Sequence, residues 1–265
     1  MNPRELQIEA RQLTVSIAGK RILKNIDLGV AAGEILCIVG ANGAGKSSLV
    51  KALAGQILPE TGQVNLAGRP ISSWTAQERA QRLALLNQQF NVQIPFRVRE
   101  LIELGAYPYR GLWTRQKLTQ AVSAAMQYFH VADLAGRDYI NLSGGEKQRV
   151  QFARVLLQIE LGQGELPRVL LLDEPSAHLD IAHQQEVLKR LRQLVNHHPV
   201  AIVMVLHDLN LALTYADRVL MLHRGEVYLS GLPQAVLRPE QIKAALGAKM
   251  VKLAPELGGW LVPET

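Results

Sequence analysis

Ile35-Leu-Cys-Ile-Val39, followed at once by Gly40-Ala-Asn-Gly-Ala-Gly-Lys-Ser47, is the stretch that decides the fold. Five consecutive apolar residues, three of them β-branched, suit a strand covered on both faces, as at the centre of a parallel sheet. The next eight match G-x-x-x-x-G-K-[ST], and a helix is expected directly after them over residues 45–54. Glycines in such a turn let the backbone wrap closely around a phosphate with successive N–H groups pointing inward. The start of the helix adds its positive end. Gly40, Asn42, Gly43, Ala44, Gly45, Lys46, Ser47 and Ser48 thus read as a cradle for a polyphosphate. Lys46 would reach the terminal phosphates and Ser47 would offer its hydroxyl to Mg²⁺.

On the N-terminal side, residues 6–8, 13–17, 22–30 and 64–66 read as strands, punctuated by Gly19, Gly33 and Gly68. On the C-terminal side, residues 168–172 and 200–206 are continuous apolar runs, and Val187, Leu188, Leu191, Leu194 and Val195 between them form a helical stripe. Residues 98–105, 118–129 and 146–157 carry apolar side chains at helical spacing, with Leu118, Val122, Ala125, Met126 and Phe129 on one face. Strand–helix–strand alternation with fully apolar strands predicts an α/β fold with a mostly parallel sheet. An N-terminal β part precedes it and a helical insert interrupts it. Residues 219–222 and 226–229 read as a late hairpin around Arg224-Gly225.

Two further motifs carry chemistry. Arg168-Val-Leu-Leu-Leu-Asp-Glu174 delivers adjacent carboxylates at the end of an apolar strand, where α/β sheets place their ligands. Asp173 suits a Mg²⁺ site, and Glu174 suits the orientation or deprotonation of an attacking water. Leu142-Ser-Gly-Gly-Glu-Lys-Gln-Arg149 opens a helix, so Ser143, Gly144 and Gly145 can present a hydroxyl and N–H groups to an anion.

Composition narrows the class. Cys37 is the single cysteine, which excludes an internal disulfide framework, and its place in an apolar strand suits a small hydrophobe. The longest apolar runs fall far short of the roughly 18 residues of a membrane span. The start, MNPRELQIEARQL, carries charges where a secretion signal would be apolar, so a cytosolic location is expected. A net charge of +6 fits a polyphosphate ligand, an acidic partner or a membrane-proximal position without choosing among them. His178 and His183 flank Asp180 in a loop and helix start rather than in a metal site. The basic residues Arg97, Arg99, Arg110, Arg115 and Lys117 read as a solvated helical face rather than a nucleic-acid track.

The phosphate loop, then LSGGE about 100 residues later, then LLLDEP about 25 residues further on, resembles the nucleotide-binding subunit of ABC transporters over residues 5–235. The resemblance implies a RecA-like P-loop core (residues 1–88 and 158–238), a helical subdomain with the signature motif (89–157) and a C-terminal extension (239–265). It makes Gln88 the glutamine that joins the two subdomains and contacts Mg²⁺ or water. Residues 176–180 become a loop at a dimer interface, and His207 becomes a switch histidine on the γ-phosphate. It also implies a homodimer, with each ATP sandwiched between one subunit's phosphate loop and the other's Ser143, Gly144 and Gly145. Two copies of a membrane permease would dock in a groove built by Phe96, Leu101, Tyr107 and Tyr109, at the cytoplasmic face of the inner membrane, with a periplasmic binding protein acting indirectly and no nucleic acid involved. The family's adenine-stacking aromatic would fall near Ile17, but no aromatic precedes Trp74, so the base is expected to rest on Ile17 or on a distant ring such as Trp260. Residues 94–109 and 146–157, Arg137-Asp-Tyr139 and the extra run 158–167 resemble haemin importers, while residues 176–184 resemble ferric-siderophore importers; cobalamin importers belong to the same group. A DNA-repair or chromosome-organising ATPase would split the phosphate loop from the signature with a long coiled coil, and no sustained heptads occur here. An ATPase of iron–sulfur assembly remains the other alternative.

Overall fold

The computed structural model describes residues 5–88, 95–162, 168–177, 179–254 and 259–264. Ile94, the end of the 158–167 run and His178 lie outside the described residues. The chain runs β1 (Leu6–Ile17), β2 (Lys20–Ala31), β3 (Ile35–Gly40), α1 (Lys46–Leu53), β4 (Thr61–Leu66), β5 (Arg69–Pro70), α2 (Ala76–Arg82) and β6 (Leu83–Leu86). The helical insert holds α3 (Val98–Glu103), a 3-10 segment (Leu104–Tyr109), α4 (Arg115–Tyr128) and α5 (Gly144–Glu160). The chain returns through β7 (Arg168–Asp173), α6 (Ile181–His197), β8 (Val200–Val205), α7 (Leu209–Tyr215), β9 (Arg218–His223) and β10 (Glu226–Gly231). It ends in α8 (Pro233–Val236), α9 (Pro239–Leu246), β11 (Met250–Lys252) and β12 (Leu261–Pro263).

Two sheets carry the architecture. The first, in the order β2-β1-β4-β5, is antiparallel and N-terminal. The second, in the order β10-β9-β3-β8-β7-β6, is parallel except for the β10 edge. Every residue of β7 and β8 is buried, as are the five apolar residues of β3, because these strands are covered on both faces. Cys37 is buried there, and burial pushes its thiol up beyond ordinary titration.

Residues 6–8 and 13–17 are one strand, not two. A bulge between Ala10 and Leu13, with Gln12 at φ 47°, bends β1 without ending it. The amphipathic stripes fold as the spacing predicts. The five stripe positions of α6 are all buried, while Ile181 at its start is exposed; on α4 and its C-cap Val122, Ala125, Met126 and Phe129 turn inward and Leu118 is partly buried, with Phe129 stacked on Phe152 of α5 at 6.0 Å. Among the described residues no helix is long and apolar enough to cross a membrane.

Candidate functional site

Parallel register gathers the site. Leu86 of β6 pairs with Leu172 of β7, so Gln88 and Glu174, two residues further along each strand, lie level with each other. Asp173 pairs with Val205, and Val205 with Ile38, which brings His207 level with Gly40 beyond the same carboxyl edge. Residues scattered between positions 40 and 207 thereby share one rim of the sheet. Sequence reading had no strand at residues 83–86; its LALL core is too short for its period to be told from a helix end.

The phosphate loop closes tightly on its own scaffold. A Cβ on Gly40 would lie 2.6 Å from the Leu222 carbonyl oxygen, so only glycine lets β3 leave the sheet there. Gly45 caps α1 at φ 103°, a left-handed conformation that an L side chain resists. Lys46, nearly buried, donates through Nζ to the carbonyls of Gly40 at 2.8 Å and Ala41 at 3.0 Å. Burial lowers its pKa, while the nearby carboxylates Glu174 and Asp173 act the other way.

Opposite the loop stand the two carboxylates. The Ser47 hydroxyl donates to Asp173 Oδ1 at 3.1 Å. Asp173 is only 2% exposed, and desolvation raises its pKa, partly offset by the Ser47 hydrogen bond. Both oxygens of Glu174 are engaged: Gln88 Nε2 donates to Oε2 at 2.7 Å, and His207 Nε2 lies 2.6 Å from Oε1. Glu174 itself has φ 54°, which a glutamate adopts only when its surroundings hold it there. Next to it, the Pro175 carbonyl accepts from Nε2 of the buried Gln148 on α5 at 3.1 Å. Sequence reading singled out neither this tie between insert and core nor Gln148.

Ser143 to Gly145 lie apart from this cluster, at the start of α5. The Ser143 hydroxyl accepts from the Glu146 N–H, and the Glu146 carboxylate accepts from the Ser143 N–H at 2.8 Å and hydroxyl at 2.7 Å, a reciprocal capping box. These hydrogen bonds hold the exposed Glu146 carboxyl below its ordinary range. Ile17 ends β1 at 44% exposure, a free apolar surface. Trp260 flanks Leu261, which is hydrogen-bonded to Asn210 near His207, whereas Ile17 ends a strand of the other sheet.

Asp180 caps α6 by accepting from the His183 N–H at 2.9 Å and pairs with His183 Nδ1 at 2.8 Å, so His183 serves a helix start. Among the described residues no three His, Cys, Asp or Glu side chains gather around a common point. The groove expected at residues 96–109 is a cavity of about 640 Å³ lined by Phe96, Glu103, Tyr107, Tyr109, Arg110 and Trp113. Leu101 does not belong to it, because α3 turns this residue fully into the core beneath. Arg99 pairs with Glu103, while Arg110 and Lys117 lie over the rings of Tyr107 and Trp113.

A glycine loop between a buried parallel strand and a helix, facing a strand-end carboxylate pair, defines a P-loop nucleoside triphosphatase. The ABC transporter family profile matches residues 23–177, and the chain belongs to that family. The chain is 45% identical over 257 residues to the hemin import ATP-binding protein HmuV of Gloeobacter violaceus, covering 96% of this chain and 93% of that one. It is 43% identical over 256 residues to the protein of the same name from a Pseudomonas fluorescens strain, covering 96% and 98%. Its fold is similar to that of a putative metal-chelate type ABC transporter in an inward-facing conformation, with a TM-score of 0.78, 22% identity, and 98% of each chain covered. It is also similar to a bacterial ABC transporter cassette solved as a dimer, with a TM-score of 0.76, 25% identity, and 85% of this chain and 98% of that one covered.

Proposed function

We propose that this chain is the ATP-binding and ATP-hydrolysing subunit that powers haemin import, acting as a homodimer beneath a membrane permease at the cytoplasmic face of the inner membrane. The observation that carries the ATPase reading is the engagement of both Glu174 oxygens by Gln88 and His207 beside the phosphate loop. Likeness to the curated hemin import proteins over nearly the whole chain supports the cargo.

The residues then take definite roles. Gly40, Asn42, Gly43, Ala44, Gly45 and Ser48 line the triphosphate with backbone and hydroxyl donors, and Lys46 exchanges its two carbonyl partners for phosphate oxygens. The Ser47 hydroxyl and the Asp173 carboxylate, already 3.1 Å apart, form a hard-oxygen pair that fits Mg²⁺, with Gln88 completing the set. Held there, Mg²⁺ would supply charge neutralisation on the phosphate oxygens. Arrival of the γ-phosphate draws His207 onto the phosphate, which frees Glu174 Oε1 to accept the proton of the attacking water. Gln88 retains the other oxygen and holds the carboxylate in line.

Ser143, Gly144 and Gly145 close over the partner's ATP, and Ile17 covers the adenine. The permease docks around Phe96 to Tyr109, and a periplasmic binding protein acts through it. Deleting the gene tests the cargo: growth on haemin as sole iron source should be lost while growth on a siderophore persists. The reverse phenotype would assign the chain to a siderophore importer.

A further inference from the structure

The segment after β10 takes no part in the site described so far, yet it is firmly attached. α8 and α9 bury Val236, Leu237, Ile242 and Ala245, and His223 Nδ1 donates to the Ala245 carbonyl at 2.7 Å. β11 and β12 then pair in antiparallel register, with Lys252 opposite Leu261. From β12 the contact leads back toward the catalytic rim. Asn210 Nδ2 donates to the Leu261 carbonyl at 3.0 Å, and Asn210 Oδ1 accepts from the Leu261 N–H at 2.8 Å. A side-chain amide here matches both backbone groups of one residue, as a neighbouring strand would.

Asn210 stands three residues after His207. The turn between them is tightened by Asp208, whose Oδ1 accepts from the Asn210 N–H at 2.8 Å and the Leu211 N–H at 3.3 Å. On the strand side the turn is held by the Leu206 N–H donating to the Ile38 carbonyl at 3.2 Å. The His207 ring is half exposed, so neighbouring side chains do little to confine it. The turn has an anchor on the sheet and a second one at Asn210. A cavity of about 330 Å³ lined by Gly40, His207, Asp208, Asn210, Leu246 and Met250 opens between the turn and the C-terminal segment, and the Leu261 side chain is buried in the core beside it, so the bracket adds a polar tie to the apolar packing there.

We propose that Asn210 is a positioning residue for hydrolysis: its two-point bracket to Leu261 makes the C-terminal segment the brace of the turn that carries His207, and so sets where His207 stands, against Glu174 before ATP binds and against the γ-phosphate during hydrolysis. The proposal rests on the role given to His207 above. Its physical basis is that a ring that reaches Glu174 Oε1 at 2.6 Å and must then meet the γ-phosphate has to be placed within a few tenths of an ångström, and a reacting geometry lost by about 1 Å costs on the order of 10²-fold in rate.

The test is steady-state ATP turnover by the full chain with Asn210→Leu, Asn210→Asp, His207→Ala and the double variant His207→Ala/Asn210→Leu. Asn210→Leu removes both bonds at similar volume and should lower kcat about 5- to 10-fold while leaving the KM for ATP within about twofold, because the phosphate loop is untouched. Asn210→Asp keeps the acceptor for the Leu261 N–H and should lose less, which keeps the series informative if the leucine variant fails to fold. In the His207→Ala background Asn210→Leu should have no further effect, since residues acting through one another are not additive. Unchanged kcat in both single Asn210 variants, or an equal further loss in the double variant, would overturn the proposal and leave Asn210 a structural tie. Wild-type turnover by His207→Ala would instead overturn the site reading beneath it.

Discussion

The two motifs proposed to take phosphate, the loop after β3 and the start of α5, differ in how much of a site each one makes. The loop of Gly40 to Ser48 belongs to a cluster gathered at the ends of β3, β6, β7 and β8: Ser47 donates to Asp173, and Gln88 and His207 both reach Glu174. At the start of α5, by contrast, the hydrogen bonds of the Ser143 hydroxyl and N–H run to Glu146 within one helical turn. One motif is a pocket assembled by parallel register. The other is a capped helix end with its serine on the surface. The phosphate role proposed for Ser143 has no counterpart from its own chain among the described residues and calls on a second copy, and on that ground the difference supports the proposed sandwich dimer.

The largest effect should come from the assembled half. Glu174→Gln removes the base and should cut hydrolysis by about 10²–10⁴-fold while ATP binding persists and holds the dimer closed. Single-turnover kinetics with size-exclusion chromatography in ATP reads both, and near-normal turnover would remove Glu174 from its role. The exposed half should respond only through the partner. Ser143→Arg places bulk and charge at the partner's γ-phosphate and should abolish ATP-driven dimerisation. Mixed with Lys46→Ala chains, it should restore dimers that hold one intact and one doubly damaged site. Dimerisation indifferent to Ser143→Arg would dissolve the contrast between the two halves.

A smaller effect tests strain in the assembled half. Desolvation raises the Asp173 pKa, so the folded state binds more protons than the unfolded one above the ordinary aspartate range of about 3.9. Stability therefore falls as pH rises through that window, and at neutral pH the ionised carboxylate costs the nucleotide-free fold stability. Asp173→Asn should raise Tm by about 2–4 °C at pH 7, as roughly 1 kcal/mol does in a chain of this size, while abolishing hydrolysis. The gain should shrink toward pH 4, where the wild-type carboxyl takes up its proton. A Tm gain independent of pH would trace the stabilisation to something other than charge.

The smallest effect concerns the base. If adenine rests on aliphatic Ile17, as proposed above, it forgoes a ring-stacking contribution of about 1–3 kcal/mol. GTP should support turnover within about tenfold of ATP, and Ile17→Tyr should tighten ATP binding with little change in saturated turnover. Competition assays on both proteins check this. A wild-type preference for ATP above a hundredfold would mean that the base is read elsewhere.

Glu146 shows how a departure from a familiar pattern gains meaning from geometry. As a letter it is a glutamate where many family members have glutamine. In the fold it is the second half of a capping box, which [ST]-x-x-[DE] at Ser143 already encodes. The same signature stands at Thr75-Ala-Gln-Glu78, where α2 begins, although residues 76–82 show no apolar stripe to announce a helix and none of them is buried.

The linear sequence by itself determined the elements whose signals are local: the apolar runs of β3, β7 and β8, the stripes of α4 and α6, the glycine loop, and the carboxylates at a strand end. Such signals survive in one dimension because burial on both faces, helical periodicity and phosphate wrapping each dictate residue types over a few neighbours. Tertiary structure alone decided that β1 runs unbroken through its bulge, that Leu101 turns away from the groove, and that β6 levels Gln88 with Glu174. It alone brought Gln148 to Pro175 and Leu261 to Asn210, 27 and 51 residues away. Those pairings depend on strand register and on which face of a helix meets the sheet. The buried Gln148 and the half-buried Asn210 carry no local pattern, since such an amide finds its partner only after the apolar surfaces around it have packed.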